Sequence, residues 1–406
     1  NYYSDNYVYP VISKVETTAT SNSITSIVTA TKGTNNISKY YYSVDGGNTF
    51  TESTGNSYTF NSLTKNTSYK IVIKVMDSNN KYSNVFVTSS KTIDSVTLAS
   101  YVKSLYTGTQ GAKNIYYHNS SLANGAGDNS YRYAGANPNN YVCFGSNAST
   151  CPENNLYRII GVFGYNVKLI KATEASSELL GTDGGYSSSI HQYSWSNLGS
   201  CQNETTYRFN DALYKLANKN AIAAHVPGQT TDGCNDWKYS ELNSKNLNVN
   251  FLNNLGTTWS NLIEDTTWKV SGHTTKAVTP KAMYTAEITN ATKTYGPSDG
   301  VSKIGLMYAS DYGFAAAPSA WTANLNTYNG EAIKNVNWMY MGLDEWTITP
   351  NSSGSSTVFS LDNSGSVYSY GAVSGFGARP VLYLKSSALY AGGAGTQSSP
   401  ITLKLS

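Results

Sequence analysis

Charge is what this sequence has least of. Only 13% of its 406 residues are Asp, Glu, Lys or Arg, against an ordinary share of roughly 25%. The formal net charge is +3, so the field that steers proteins onto a phosphate backbone is missing and nucleic acid is excluded as a partner. No stretch reaches the roughly 18–20 continuous apolar residues of a membrane span. Nor does a basic segment followed by an apolar one open the chain at Asn1. Residues 1–9 are therefore expected to be a stub left by a removed signal or anchor, with that missing N-terminal anchor as the only route to a membrane.

Catalytic patterns are scarce as well. A serine triad needs its nucleophile beside a histidine, and His118, His191, His225 and His273 all sit in loops rich in Asn, Ser and Thr. The adjacent Glu264 and Asp265 read as solvated neighbours rather than a glycosidase pair. No catalytic residue and no cofactor follow from the sequence, and the expectation is a binding protein, not an enzyme. Cysteine is scarce too. Cys143, Cys151, Cys201 and Cys234 allow three pairings, and sequence alone does not choose among them. The turn-rich Cys143–Cys151 stretch favours a local bridge, which leaves Cys201 with Cys234. Zinc is the weaker alternative, since no C-x-x-C occurs and His191 and His225 lack ligand spacing. Disulfides imply an oxidising exterior. Calcium stays open at Asp183 and Asp311, although isolated carboxylates more often cap turns.

What is present is apolar and aromatic. The chain is 39% hydrophobic and carries 34 tyrosines, enough for a real core beneath a surface of Asn, Ser, Thr, Gly and Tyr. Such a surface suits neutral glycans or other proteins. Lysines that fall on strand-like segments read as solvated edges. Two or three domains are expected from the length.

The first is the clearest. Ser23–Thr31 alternates apolar and polar residues at period two, as a half-buried strand does. Tyr40–Val44 runs into Asp45-Gly-Gly, a hairpin turn signal. In Tyr58–Asp77, Leu63 and Tyr69 stand where the fibronectin type III family places its corner leucine and tyrosine, and Asp77–Ser83 resembles that family's final hairpin turn. The resemblance covers residues 10–93 and implies an all-β sandwich, with Leu63 and Tyr69 structural: the tyrosine hydroxyl bonds back to the chain at the strand crossover.

Behind it, Asp94 is placed to cap a helix with Leu98, Val102 and Leu105 on one face. Tyr157–Phe163 and Val167–Lys171 flank Gly164-Tyr-Asn as a buried hairpin. Helical spacing recurs at Phe209, Leu213 and Leu216. It returns from Ser240 through Leu242, Leu247, Phe251, Leu252 and Leu255, stopping at Gly256. From Ile304 onward short aromatic-rich strands with glycine turns are expected. The sum is an α+β domain over 94–406.

Three late segments carry a second resemblance: Trp338–Thr347, Val358–Tyr368 and Gly375–Leu384. They resemble the C-type-lectin-like fold in its formylglycine-generating-enzyme version, with Glu345, Trp346 and Thr347 matching one strand and Gly377, Arg379 and Pro380 the closing one. Trp346 then reads as a core anchor, Arg379 as the partner of a buried carboxylate such as Glu345, and Pro380 as a strand start. Trp321, Trp338 and Tyr340 read as core. The oxidase branch of that family uses late cysteines, and no cysteine follows Cys234. Longer segments (Tyr141–Gly145, Asn155–Phe163, Lys303–Ala315, Gly377–Leu382) resemble surface proteins of Gram-positive gut bacteria, which implies an extracellular, cell-surface location.

In lectin-like folds the ligand face lies on the late hairpins. Here that places Asn351, Ser353, Ser356, Asp362, Asn363, Tyr368, Tyr370 and Phe376 on it, the Tyr, Ser and Asn chemistry of antibody paratopes. Similar folds are targets of diversity-generating retroelements. The expected architecture is thus multidomain, an all-β fibronectin III/Ig-like sandwich followed by an α+β C-type-lectin-like domain. The expected role is adhesion to a glycan or protein on a host or neighbouring cell. The alternative is a self-associating subunit of a pilus, fibre or surface layer.

Overall fold

The structure, a computed structural model, describes residues 6–93, 96–196, 235–290, 300–354 and 356–405. The chain divides into two compact units, Asn1–Thr97 and Leu98–Ser406. Among the described residues no helix is long and apolar enough to cross a membrane.

The first unit holds β1 (Val11–Ala19), β2 (Ile24–Thr31), β3 (Ile37–Ser43), β4 (Thr51–Ser53), β5 (Ser57–Phe60), β6 (Ser68–Asp77) and β7 (Phe86–Lys91). They form two antiparallel sheets, β1-β2-β5 and β4-β3-β6-β7. The core comes from inward positions of both: Ile12, Ile24, Val28 and Phe60 from one sheet, Tyr42, Ile71, Ile73 and Val75 from the other. Period-two alternation in β2 and β6 makes this arrangement possible, because it gives each strand one apolar face. Chain order that leaves one sheet and returns is that of a fibronectin III-like sandwich. At its corner the Tyr69 hydroxyl accepts the Thr64 amide at 2.8 Å, and Leu63 packs against the core. The Asp45-Gly-Gly signal makes a longer loop than a tight hairpin. Gly46 and Gly47 take φ of +81° and +96°, while the Asp45 carboxylate accepts the amides of Asn48 and Thr49.

The second unit is mostly β, in several sheets joined by short helices. Its strands β8 (Ile115–Tyr117), β9 (Tyr131–Tyr133), β10 (Tyr141–Cys143), β11 (Leu156–Phe163) and β12 (Asn166–Lys171) belong to a seven-stranded sheet. The order across it is Ile304–Gly305, Val381–Leu384, β12, β11, β9, β8, with β10 also paired to β11. The β11–β12 hairpin turns at Gly164-Tyr165 and is buried on both faces. Helix Leu98–Ser104 buries Leu98, Ala99 and Val102. Asp94, expected as its cap, lies outside the described residues, as does the expected helix of Phe209, Leu213 and Leu216. The helix after Ser240 is wider than an α-helix over Leu242–Phe251 and regular over Leu252–Leu255, and ends at Gly256 with φ +79°.

Two expectations fail. Ile304–Asp344 is largely helical turns, not strands. After Ile304–Gly305 comes helix Ala309–Ala315, buried at every residue and opened by Asp311, whose carboxylate accepts the Tyr308 amide. A local cap and full burial override the aromatic β-pattern there. The lysines of β12 are not solvated edges either. Lys168 and Lys171 are 1% and 0% exposed, because β12 lies inside the sheet with neighbours on both sides. Lys171 donates to Thr173 Oγ1 at 3.0 Å, and burial pushes its ammonium down to about 8.

Cys143 and Cys151 form a disulfide with Cα atoms 5.7 Å apart. Cys201 and Cys234 lie outside the described residues.

Candidate functional site

Three strands, Glu345–Pro350, Thr357–Leu361 and Val367–Gly371, make a small antiparallel sheet with Val367–Gly371 at its edge. Strand alternation sends Tyr368 and Tyr370 to one face and Val367 and Ser369 to the other. Val367 is buried, whereas Tyr368 and Tyr370 remain 43% and 36% exposed. Their rings lie 5.1 Å apart, and Tyr370 meets Phe376 edge-on at 4.9 Å. Phe376 in turn rests 4.6 Å from the fully buried Trp346. An aromatic row thus runs from the core out to solvent. The strand Gly375–Phe376 pairs with Gln192–Ser194, and the exposed Ile190 lies so close to Gly375 that a Cβ there would sit 2.1 Å from its Cδ1.

The base of the row is stitched by indoles and one ion pair. Trp346 Nε1 donates to the Tyr193 carbonyl at 2.7 Å and Trp195 Nε1 to the Thr347 carbonyl at 2.9 Å. Arg379 donates from Nε and Nη2 to the two carboxylate oxygens of Glu345 at 2.6 and 2.7 Å, and from Nη2 to the Met339 carbonyl at 2.9 Å. Burial raises the Glu345 carboxyl, and the Arg379 guanidinium pulls it back down. Pro380 immediately precedes strand Val381–Leu384.

Electrostatics at the face are mixed. Lys276 Nζ lies 2.9 Å from the Tyr368 ring centre, a cation over a π-face. Burial, then the carboxylates of Asp344 and Asp362, raise the Tyr370 phenol.

The structure does not gather all the residues read as ligand contacts. Asp362 closes its hairpin turn, accepting the amides of Ser364 and Ser366 and the Ser364 hydroxyl. The Asn363 amide is held by Asp344 Oδ1, and its carbonyl by the Tyr340 hydroxyl. Asn351 accepts the Ser353 amide and hydroxyl and donates to Ser369 Oγ, on the strand face opposite Tyr368. Ser356 accepts the Ala372 amide at its carbonyl. These are turn-forming residues that satisfy their own backbone. Asn235 ties the same loop down, donating to the carbonyls of Asn351, Gly354 and Thr357. The site contracts to Tyr368, Tyr370 and Phe376, joined by Lys276, Ile190 and the bracing Trp346. Nothing in the sequence near Lys276 or Ile190 connects them to residues so distant in the chain.

The other candidate centres resolve simply. Both carboxylate oxygens of Asp311 face cations, Arg132 and Lys168, which leaves no place for calcium. Asp183 Oδ1 accepts Asn250. Among the described residues no group of three His, Cys, Asp or Glu could hold a metal ion. Asp265 pairs with Lys303 at the surface. His118 is buried, its Nδ1 accepting the Ala126 amide, and His191 meets the Tyr186 hydroxyl. His273 accepts the Thr275 amide, and His225 lies outside the described residues. Trp321 and Trp338 are core; Tyr340 is half-buried.

No known protein family matches the sequence, and no curated protein matches it. Solved structures that resemble part of the chain include a chitinase from Bacillus thuringiensis, at 23% identity over 23% of this chain and TM-score 0.20. This chain spans 15% of that enzyme's length. The PKD1 domain of a Vibrio cholerae metalloprotease is 22% identical over 21% of this chain and 99% of the domain, at TM-score 0.18. The fourth fibronectin III domain of a human protein is 18% identical over 23% of this chain and 84% of its own, at TM-score 0.19.

Proposed function

We propose that this chain is an extracellular, cell-surface ligand-binding protein that acts by recognition and not catalysis. Its second unit is a C-type-lectin-like variant, and the face of Tyr368, Tyr370 and Phe376 takes a neutral glycan. The exposed aromatic row braced on buried Trp346 carries the reading. Rigid, flat, half-exposed rings stack on apolar sugar faces at little entropic cost, and their low charge suits a neutral ligand. Support for the lectin-like fold comes from the Glu345-Trp-Thr strand and its ion pair with Arg379. The Cys143–Cys151 disulfide suits an oxidising exterior.

Replacing Tyr368 and Tyr370 with Ala is expected to leave the circular dichroism spectrum unchanged and to abolish binding on a glycan array. Binding that survives the double substitution overturns this site; binding confined to a protein array overturns the glycan. A second reading, a self-assembling fibre or surface-layer subunit, is favoured by the outer edge of strand Val367–Gly371, a template for strand addition. A monomer by light scattering at high concentration would end it.

A further inference from the structure

The seven-stranded sheet carries a row of residues that the ligand face does not use. Arg132 stands opposite Gly161, Gly161 opposite Lys168, and Lys168 opposite Tyr383, so all four project to one side. Gly161 has no side chain to separate the two cations. Above them sits Asp311 of helix Ala309–Ala315. Lys168 Nζ is 2.5 Å from Asp311 Oδ2, with the side chains 1% and 2% exposed. The rings of Phe163, Trp268, Tyr308 and Tyr383 surround the ammonium at 5.5, 5.9, 4.5 and 5.3 Å. Arg132 spends its short contact on Asp128, at 2.7 Å, and stands 3.4 Å from Asp311 Oδ1. Glu287, fully buried, accepts the Ser310 amide and the Thr349 hydroxyl on Oε1, while its Oε2 has no partner.

We propose that Lys168 and Asp311 condense into an intramolecular isopeptide bond. This goes beyond the ligand-binding reading and does not depend on it. A Lys–Asp pair sealed from water pays a large desolvation cost as two ions. Moving one proton along the 2.5 Å contact makes a neutral amine and a carboxylic acid. A desolvated neutral lysine is a nucleophile, and it is already in contact with its target. Nζ attacks Cγ, and Arg132 polarises Oδ1, which becomes the amide oxygen. A second proton then passes from Nζ to Oδ2 across the same contact. Oδ2 leaves as water; one proton stays on the amide nitrogen. Reactants are an ammonium and a carboxylate, products an amide and one water, with no oxidant or cofactor. After condensation Arg132 and Asp128 still balance each other.

Intact mass spectrometry of the full chain, reduced and denatured, tests this. The wild type is expected to be lighter than its sequence by one water. Lys168→Met, close in volume, is expected at full mass. A digest of the wild type should contain one branched peptide joining the Lys168 and Asp311 segments, a readout independent of whether the variant folds. A folded wild type at full mass, or separate peptides, overturns the bond. A water deficit that persists in Lys168→Met does so too.

Discussion

At the scale of single residues, buried charge behaves in two ways. The Arg379–Glu345 pair was legible in the sequence, since an arginine beside a strand proline and a carboxylate beside a core tryptophan both ask for a partner. Its geometry is bidentate, with the third bond to a carbonyl. Arg379→Met should destabilise the second unit by roughly 3–5 kcal/mol, because Glu345 is left buried and uncompensated. Adding Glu345→Leu should recover much of that loss. Urea unfolding followed by tryptophan fluorescence measures both, and a double variant no more stable than Arg379→Met would contradict the account. Lys168 was not legible. A lysine between Val167 and Leu169 looks like an edge position unless its neighbours on both sides are known.

Among elements, those with strong local grammar were read well. Alternation marked β2, the Gly164 turn marked the β11–β12 hairpin, and the run ending at Gly256 marked a helix. Ile304–Asp344 was misread because its aromatics are buried by helical turns rather than by a sheet. The loops at Asn351–Ser353 and Asp362–Ser366 show a related ambiguity. Asn, Asp and Ser serve a ligand and a turn equally well in sequence, and here their hydrogen bonds close inward. Gly161 belongs to this scale. A Cβ at that position would lie 2.4 Å from the Tyr131 carbonyl oxygen, so β9 and β11 must part to admit one. Gly161→Ala should cost about 1–3 kcal/mol, as overpacking does, visible as a lower urea midpoint with an unchanged slope. A variant as stable as wild type would show that the strands yield freely.

The two units can be followed separately, because all seven tryptophans lie in the second. Within it His118 is buried beside Arg132, and burial followed by that positive charge holds its imidazole well below 6.5, against a weaker pull from Asp128. Its folded pKa is depressed, so below about 6.5 the unfolded chain binds a proton that the folded one refuses. Stability from this residue is complete above that pH and falls as pH drops. Glu287 acts in the opposite sense: its folded pKa is raised from 4.5 to about 7, so its contribution is present below 4.5 and lost as pH rises through 7. A variant therefore isolates the histidine better than a wild-type profile. His118→Gln should gain on wild type by about 1.4 kcal/mol for each pH unit below 6.5. Urea unfolding by tryptophan fluorescence at pH 7.5 and 5.5 reads it, and a constant difference would refute the assignment.

By itself the sequence determined the sandwich, whose strands each carry one apolar face and whose Leu63 and Tyr69 close a local corner. It also determined the kind of surface, since low charge and many tyrosines are matters of composition, while the turn-rich stretch between Cys143 and Cys151 only favoured the bridge that the structure shows. Tertiary structure decided which aromatics face solvent, which polar residues are consumed by their own turns, and which cations meet one aspartate. Those outcomes depend on contacts between segments over a hundred residues apart, such as Lys168 with Asp311. Periodicity along a chain carries no information about such partners; only packing brings them together.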